Sequence, residues 1–556
     1  MEKNPISLVS SILKLNKILL TDRKDISAIY MFAILGGLVQ LSLPLGIQSI
    51  ISFVMAGAIS ASIVVLICMV VFGVFANGLL QVRQLQIIEK VKQKLFFRYT
   101  MEYSHRIPRL NIEKLDNQYL PELVNRYFDS VTLQKGIDKL LLEIPGAVIQ
   151  VILGIVLLSF YHPVFIVFGV LLISIVFAIV RFTSPKGLTT ALNASTYKYA
   201  LAGWLQEIGR IVKTFKYNNG ASMQMQKTDK LVDSYLFSRT KHFKILLTQF
   251  WSLISFKIII TAAMLIIGSY LLVTQQINVG QFIAADIVII AIIASIEKII
   301  TNLDAIYDSL VSVEKLSVIA EAETETGGSM LLSKTDDGVD IRFENVSFAY
   351  PNQKKVLNNL SFDVRRGEMV QLKGVSGSGK SSVLRLLTGA FKNFTGNVLI
   401  EGLPIGNYQL EELRRRTGIL LGSQDIFEGS IWQNISMGNT SINARDVDTL
   451  AQITGLSEFV QSSPGGYDTA LMPLGNKLPA GVRKNILLIR ALIGKPSLLL
   501  LEDPFGHFDL EKKETVIRQI REFSRSTILI SSQDDSIASL CDKVLTLNMA
   551  AGNNTL

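Results

Sequence analysis

Residues 374–381 have the types and the order of a phosphate-binding loop. They read Gly-Val-Ser-Gly-Ser-Gly-Lys-Ser, which fits the pattern G-x-x-x-x-G-K-[ST]. Glycines let consecutive backbone N–H groups converge on phosphate oxygens at a helix N-terminus. In this pattern Lys380 is expected to reach the β- and γ-phosphates of a nucleotide, and Ser381 to bind Mg²⁺. The residues predicted to cradle the phosphates are Gly374, Val375, Ser376, Gly377, Ser378, Gly379, Lys380, Ser381 and the following Ser382.

The sequence around this loop supplies the strand and the helix that such a loop needs. Residues 369–373 form a short apolar run that predicts a buried strand, and residues 382–387 carry apolar residues at helical spacing. Strand, loop and helix in this order are the context in which the motif binds phosphate, so a chance match is the weaker interpretation. The second half of the chain is therefore predicted to be an α/β P-loop NTPase domain.

The first half is too apolar to be an ordinary soluble domain. Only 18% of the 556 residues are charged, the mean hydropathy is +0.38, and the apolar excess lies before residue 305. Six apolar stretches are long enough to cross a hydrocarbon core about 30 Å thick. They comprise residues 27–53, 61–80, 141–161, 163–180, 246–273 and 279–300. The sequence predicts an α-helical, six-span membrane domain; a buried core helix in place of one span is the alternative.

Lysine and arginine are distributed unevenly between the connections. The segments after the second and the fourth span are basic close to the membrane, whereas residues 54–60, 161–162 and 274–278 contain no Lys or Arg. The positive-inside rule therefore places both termini in the cytoplasm. It also explains the net charge of +9, so no nucleic-acid partner is expected. Helical patterns at residues 82–101 and 197–215 predict that the spans continue as helices into the cytoplasm.

Composition divides the chain into four segments. Residues 1–26 predict an amphipathic helix at the membrane interface, and residues 27–323 the transmembrane domain with two long cytoplasmic extensions. Gly327 and Gly328 follow an acidic run and precede a strand signal, which places a linker at 324–339 and the nucleotide-binding domain at 340–556. Two distant cysteines, Cys68 and Cys541, provide no metal or redox spacing.

Several residues together resemble a known family. Tyr350, the phosphate loop, Gln424 and residues 478–509 resemble an ATP-binding-cassette (ABC) domain behind a six-span exporter domain, and the resemblance covers nearly the whole chain. It is similar to half-transporters of the bacterial peptide or protein exporters that serve type I secretion or bacteriocin export. This implies ATP and Mg²⁺ as cofactors and a multi-pass protein among the lipids of the bacterial cytoplasmic membrane. It also implies a homodimer or a heterodimer with another half-transporter, and leaves open a periplasmic adaptor protein.

The resemblance also implies roles for single residues. Tyr350 is expected to stack on adenine, and Gln424 to contact Mg²⁺, the γ-phosphate and the attacking water. Asp509 falls in the loop that family members call the D-loop. Each ATP would lie between one chain's phosphate loop and the partner's signature segment, here Leu478, Pro479, Ala480, Gly481 and Val482. Cytoplasmic coupling segments resemble residues 122–126 with Asp129, and Glu207 with Gly209 and Lys213; solvated helix faces are the ordinary alternative.

The signature segment departs from the family pattern Leu-Ser-Gly-Gly-Gln. The serine is replaced by Pro479, which has no N–H, and the first glycine by Ala480. A hydroxyl and an N–H group that would contact a γ-phosphate are therefore missing.

Two departures concern hydrolysis. The usual Asp-Glu order is inverted, so Glu502 occupies the Mg²⁺-associated position and Asp503 replaces the glutamate that orients or deprotonates water. Gln533 stands where the family has a histidine, and glutamine can donate a hydrogen bond but cannot carry a proton near neutral pH. Asp503, Gln533, Gln424 and Lys380 are the expected catalytic residues, and slow hydrolysis is predicted. His507, in a loop nearby, is interpreted as a structural residue.

Two functions follow from these patterns. The first is ATP-driven export of a substrate, a peptide or protein, by a dimeric ABC transporter, with a lipid or small lipophilic molecule as the alternative cargo. The second is a subunit that binds ATP but hydrolyses it weakly or not at all, and supports a competent partner half-transporter. Turnover by the purified chain distinguishes them.

Two ionisable residues interrupt the last two spans. Lys257 and Asp286 are expected to face the interior of the helix bundle or a wet cavity, because charge in the bilayer is unfavourable. A direct pair would have to bridge about 10 Å at the helical rise, and Glu297 is a comparably good partner for Lys257. A contact in the transport path and a structural ion pair are the two alternatives.

Overall fold

The structure is a computed structural model that describes residues 8–55, 61–115, 119–333, 335, 337–351 and 353–548. The chain forms two compact units. Unit 1 comprises Met1–Arg109 and Gln118–Ala322, and unit 2 comprises Leu110–Asn117 and Glu323–Leu556. Because residues 110–117 belong with unit 2, the segment after the second span is divided between the units.

Helices make up unit 1 in its described residues. They are α1 (Leu8–Leu20), α2 (Arg23–Gln40), α3 (Ser42–Met55), α4 (Ala61–Arg106), α6 (Leu120–Asn125), α7 (Asp129–Asp138), α8 (Ile144–Tyr161), α9 (Val164–Arg210), α10 (Val212–Tyr217), α11 (Ala221–Val273), α12 (Val279–Thr301) and α13 (Leu303–Ala320), while α5 (Ile112–Leu115) lies in unit 2. Helix α1 covers residues 8–20 of the segment 1–26 that was predicted to be an interfacial helix; a turn follows at residues 21 and 22, α2 begins at Arg23, and residues 1–7 lie outside the described residues.

Six stretches are long and apolar enough to cross a membrane, which confirms the predicted spans. They are Arg23–Met55, Ala61–Arg109, Leu120–Tyr161, Val164–Arg210, Ala221–Val273 and Val279–Ala320. The first consists of two helices, since α2 ends at Gln40 and α3 contains Pro44 in its first turn. Proline cannot donate to the carbonyl four residues earlier, that of Gln40, which explains the break.

Three helices are much longer than a bilayer is thick. Helices α4, α9 and α11 contain 46, 47 and 53 residues, and at 1.5 Å per residue each is about 70–80 Å long against a hydrocarbon core of about 30 Å. The predicted helix at 82–101 lies within α4. The one at 197–215 is wrong at its end, because Ile211 leaves the helical conformation (φ −115°, ψ 31°) and separates α9 from α10.

Buried polar side chains join the helices of unit 1. His242 is fully buried on α11 and bonds Thr190 of α9 and Asp304 of α13, each at 2.9 Å. About two turns further along α11, Gln249 donates to the Tyr307 hydroxyl at 2.8 Å. Buried polar groups are stabilising only when they find such partners, so these bonds specify how α9, α11 and α13 pack.

The lysine in the fifth span pairs with Glu297. Its Nζ lies 2.7 Å from Glu297 Oε2, so Lys257 joins α11 to α12. The side chain of Asp286, on α12 as well, makes no hydrogen bond or ion pair with any residue that the structure describes. Of the two partners considered for Lys257, the structure therefore selects Glu297.

Unit 2 is an α/β domain, as predicted. Its strands are β1 (Ile341–Ala349), β2 (Lys355–Val364), β3 (Met369–Lys373), β4 (Phe394–Ile400), β5 (Leu403–Pro404), β6 (Thr417–Leu420), β7 (Gly429–Ser430), β8 (Ala470–Leu471), β9 (Leu498–Glu502), β10 (Thr527–Ser531) and β11 (Lys543–Thr546). Its further helices are α14 (Lys380–Leu387), α15 (Leu410–Arg415), α16 (Ile431–Ser436), α17 (Ala444–Thr454), α18 (Leu456–Ser462), α19 (Ala480–Leu492) and α20 (Leu510–Phe523).

The central sheet of unit 2 is parallel, with strand order β11-β3-β10-β9-β6. Beside it lies an antiparallel sheet of order β2-β1-β4-β5. Strands β3, β9 and β10 are buried along almost their whole length and are mostly apolar, because both faces of a parallel sheet are covered. Ser531 at the end of β10 lies in register with Leu372 of β3 and Glu502 of β9. The carboxyl ends of these three strands therefore meet at one edge.

Candidate functional site

The phosphate loop leaves this edge at the end of β3 and leads into α14, as the sequence predicted. Gly374 adopts φ +150°, and a Cβ on it would lie 2.4 Å from the Leu547 carbonyl oxygen. Gly379 adopts φ +95° at the N-cap of α14, where a Cβ would lie 2.5 Å from a Leu357 methyl group. A side chain at either position would clash and would force an unfavourable backbone conformation, so the loop requires glycine at both.

Lys380 points back across the loop. Its Nζ donates to the carbonyl oxygens of Gly374 at 2.7 Å and Val375 at 2.9 Å. Burial lowers the pKa of this ammonium, and the nearby Glu502 carboxylate opposes that shift. The loop thus holds the Lys380 ammonium group at its opening. A phosphate oxygen can replace the two carbonyl oxygens as the acceptor of its hydrogen bonds.

Ser381 and Glu502 come together from positions far apart in the sequence. The Ser381 hydroxyl donates to Glu502 Oε1. The other carboxylate oxygen, Oε2, accepts the Gly422 N–H at 2.8 Å. A hydroxyl and a carboxylate side by side are the hard oxygen ligands that Mg²⁺ prefers. These residues therefore fit a Mg²⁺ ion, and their binding of that ion stays a prediction.

A cavity of about 630 Å³ opens beside the loop. Ten predicted residues line it, namely Tyr350, Ser376, Gly377, Gly379, Lys380, Ser381, Ser382, Glu502, Asp503 and Gln533. The sequence analysis did not single out four further lining residues, Gln353, Val356, Ser531 and Ser532. The sequence analysis missed Ser531 and Ser532 because the end of β10 reaches this cavity through the pairing of β10 with β3 and β9. Local spacing in the sequence does not reveal that pairing.

Tyr350 lies at one wall of this cavity. Its hydroxyl is 3.1 Å from Ser382 Oγ and accepts from Arg385 at 3.2 Å. The ring packs edge-on against Phe348 and Phe391, with centroids 4.8 and 5.6 Å away. Anchored at its hydroxyl and its edges, the ring is a fixed apolar surface beside the phosphate loop. Stacking of adenine on it stays a prediction.

Gln424 does not line the cavity in this structure. It is half-buried, and its Oε1 accepts the Leu421 N–H at 3.4 Å within its own turn. The signature segment also lies elsewhere: Pro479 caps α19, and none of residues 478–482 is among the lining residues. Asp509 caps α20 by accepting the Lys512 N–H at 2.8 Å. Spacing in the sequence alone could not show that Gln424, the signature segment and Asp509 lie away from the residues that line the cavity.

Asp503 lines the cavity with its carboxylate held by a lysine. Lys484 Nζ lies 3.0 Å from Asp503 Oδ2 and 3.3 Å from the Asp503 carbonyl oxygen. Gln533 is exposed nearby and donates to the Gly374 carbonyl oxygen at 3.4 Å. The sequence analysis missed Lys484, because 19 residues separate it from Asp503 and no motif joins them.

His507 has the structural environment that was expected of it. Its Nε2 is 2.7 Å from Asn485 Oδ1, and its Nδ1 is buried without a partner among the described residues. Burial, aided by the charge of Lys484, lowers the pKa of His507 to about 4. The ring is therefore neutral at pH 7 and does not line the cavity.

A second cavity, of about 670 Å³, lies in unit 1 at the ends of α3, α11 and α12. The described residues that line it are apolar or carry amides and a hydroxyl, such as Gln275, Asn278 and Ser52, and none is titratable.

Two family matches cover most of the chain. Residues 26–295 match the ABC transporter transmembrane region, and residues 357–506 match the ABC transporter family. The chain is similar in fold to a solved bacterial Atm1-family ABC exporter with ATP bound, with a TM-score of 0.84 and 19% identity over 95% of this chain and 94% of that one.

Three relatives illustrate the sequence similarity. An uncharacterised ABC transporter ATP-binding protein, YknU of Bacillus subtilis, is 31% identical over 51% of this chain and 49% of its own. The mitochondrial iron-sulfur clusters transporter ABCB7 of Oryzias latipes is 28% identical over 60% of this chain and 46% of its own. The chain thus spans about half the length of both. A putative export ATP-binding/permease protein of Rickettsia bellii is 24% identical over 80% and 78%.

Proposed function

The chain belongs to the ABC transporter family, as a half-transporter with one transmembrane region and one ATP-binding domain, and we propose that it uses ATP to export a substrate across the bacterial cytoplasmic membrane. The observation that carries the proposal is the phosphate loop with Ser381 bonded to Glu502, in a chain with six candidate spans. The chemistry at this cavity is phosphoryl transfer from ATP to water.

Different residues of the cavity serve ATP binding and ATP hydrolysis. The loop's N–H groups and Lys380 hold the phosphates, and Tyr350 stacks on adenine. Asp503 orients the water and takes its proton while the water oxygen bonds to the γ-phosphorus and the bond to the β–γ bridging oxygen breaks. Gln533 donates to the γ-phosphate.

Ser381 and Glu502 would hold Mg²⁺, and a ligand from Gln424 would require its side chain to leave Leu421. When bound, this ion neutralises charge on the β- and γ-phosphate oxygens. Aspartate places its carboxylate one methylene further from the water than glutamate does, and a misplacement of about 1 Å can slow a reaction about 10²-fold. ATP binding with slow hydrolysis is the expected result.

The working unit is proposed to be a dimer. The signature segment 478–482 lies apart from the cavity of its own chain, as expected if it serves the cavity of a second half-transporter. Sedimentation or mass measurement of the purified chain tests whether that partner is a second copy. A monomer without an ATP-bound dimer would favour a heterodimer.

The cargo is proposed to be a peptide or protein, because the sequence resembles exporters of that kind; a lipid or small lipophilic molecule is the alternative. One relative is named for iron-sulfur clusters, which adds a third class to test. Stimulation of ATP hydrolysis in proteoliposomes by peptides, by lipid composition or by thiol-bound clusters would discriminate among these cargoes.

Both termini are proposed to lie in the cytoplasm. A cysteine at Gln275, between α11 and α12, should react with an impermeant reagent outside intact cells. A second site, Gly57, lies outside the described residues. Labelling of Gln275→Cys only after the cells are opened would overturn the topology.

The central test measures ATP binding and hydrolysis by the detergent-purified chain. Replacement of Lys380 by alanine should weaken ATP binding about 10- to 100-fold and abolish turnover, whereas Lys495→Ala, an exposed lysine of the same unit, should leave both unchanged. Binding without turnover in the wild type would favour a silent subunit. This second function is supported by the replaced signature residues and by the contact between Asp503 and Lys484.

A further inference from the structure

The candidate base Asp503 is restrained by a residue that no motif assigns. We propose that Lys484 is a positioning residue that holds the Asp503 carboxylate away from the attacking water and thereby keeps ATP hydrolysis slow. This inference rests on the proposed function, since it concerns the rate of the same reaction.

The contacts of Asp503 show how it is held. Lys484 Nζ bonds both the side-chain Oδ2, at 3.0 Å, and the backbone carbonyl oxygen, at 3.3 Å. Among the described residues, Lys484 is the one hydrogen-bond partner of this carboxylate. Asp503 also has a left-handed backbone, with φ +43°. Two contacts from a single ammonium therefore fix both the backbone and the side chain.

The direction of the carboxylate supports the same conclusion. A Cβ built on Gly506 would lie 2.9 Å from both carboxylate oxygens, so the side chain folds back over its own loop. It makes no hydrogen bond to the described residues of the phosphate loop. Because the ammonium occupies an acceptor site on Oδ2, it competes with a water for the oxygen that would take the water's proton.

Lys484 lies on the helix that begins in the signature segment. It lies on α19, and the same helix begins at Ala480 with Pro479 as its cap. The rest of α19 is buried in the core through residues such as Ile486 and Leu488. Phe505 is buried in the same core, so α19 and the loop that carries Asp503 are packed together, which keeps Lys484 beside the carboxylate.

The first test is Lys484→Met in the full chain, with turnover and ATP binding both measured. The pair is half-exposed, so we expect kcat to rise about two- to five-fold, the range that such pairs allow. KM and ATP affinity should stay unchanged, because Lys484 does not line the cavity. Lys484→Arg should keep the pair and the wild-type rate. Lys495→Met, which breaks a surface pair of 3.4 Å with Asp446, is the matched control.

The second test repeats Lys484→Met in an Asp503→Asn background. If Lys484 acts through the carboxylate, the substitution should have no effect on kcat there. A kcat that is unchanged or lower in Lys484→Met, or that rises equally with Asp503→Asn, overturns the inference. Retained ATP binding and turnover in Lys380→Ala would instead overturn the proposed function, so the two failures are distinguishable.

Discussion

The two sides of the unit 2 cavity differ in how closely they follow the family pattern. On the phosphate side, every motif residue is present, and Ser381 meets Glu502 as a Mg²⁺ site requires. On the hydrolytic side, Asp503 is tied to Lys484, and Gln533 contacts only the Gly374 carbonyl oxygen among the described residues. Binding and hydrolysis use different elements around one cavity, so one can be retained while the other weakens.

The largest expected effect comes from breaking the phosphate side. Hydrogen bonds to charged groups contribute about 1.5–3 kcal/mol, so Lys380→Ala should weaken ATP binding about 10- to 100-fold. Equilibrium binding of a fluorescent ATP analogue would measure this. Near-normal affinity in a folded variant would show that the loop alone, without its lysine, carries binding.

Restoring the family residues on the hydrolytic side should raise ATP turnover without changing ATP binding. Asp503→Glu combined with Gln533→His should raise kcat about tenfold or more, because a carboxylate 1 Å nearer the water can change a rate about 10²-fold. The ATP affinity should change little. No rise in kcat, with binding preserved, would mean that residues 479–482 or Glu502 limit the reaction.

A smaller effect, on the pH dependence of stability, is expected in the loop that contains His507. His507 has its pKa lowered from 6.5 to about 4, so the unfolded state binds more protons than the folded state between these values. The contribution of neutral His507 to the free energy of unfolding is therefore fully present above pH 6.5. It decreases as the pH falls toward 4, by about 1–2 kcal/mol after allowance for partial exposure. The protection factors of residues 498–510, which correct hydrogen exchange for its intrinsic slowing at lower pH, should fall over this range.

The matched variant for that experiment is His507→Asn, which cannot titrate. It should remove the pH dependence of the protection factors in this loop and leave the protection factors of β1 and β2 peptides unaffected. An equal pH dependence in wild type and variant would assign the effect to other groups.

The smallest expected effect lies in unit 1, remote in sequence from both sides of the cavity. Lys257→Met breaks a half-exposed pair of 2.7 Å with Glu297, so transport or cargo-stimulated turnover should fall about two- to five-fold with basal turnover unchanged. Lys298→Met, an exposed lysine on α12, is the control. Loss of folded protein would indicate a structural pair, and unchanged transport would exclude both roles.

The fold could be predicted where a short segment determines it. The strand before the phosphate loop, the loop and α14 are contiguous, and each span is a single apolar run. The break at Ile211 could not be predicted, since residues 197–215 keep a helical pattern throughout. The position of Gln424 also escaped the motif, because its side chain turns toward Leu421 instead of the cavity.

The sequence by itself determined the phosphate loop, the six spans and the substituted positions at Pro479, Asp503 and Gln533, because each depends on residue type and local spacing. Only the tertiary structure decided which side chains meet across long separations. Ser381 and Glu502 are 121 residues apart, Lys257 and Glu297 are 40 apart, and Lys484 and Asp503 are 19 apart. Such pairs depend on strand order and helix packing, which bring distant backbone segments together and leave no mark in local residue spacing.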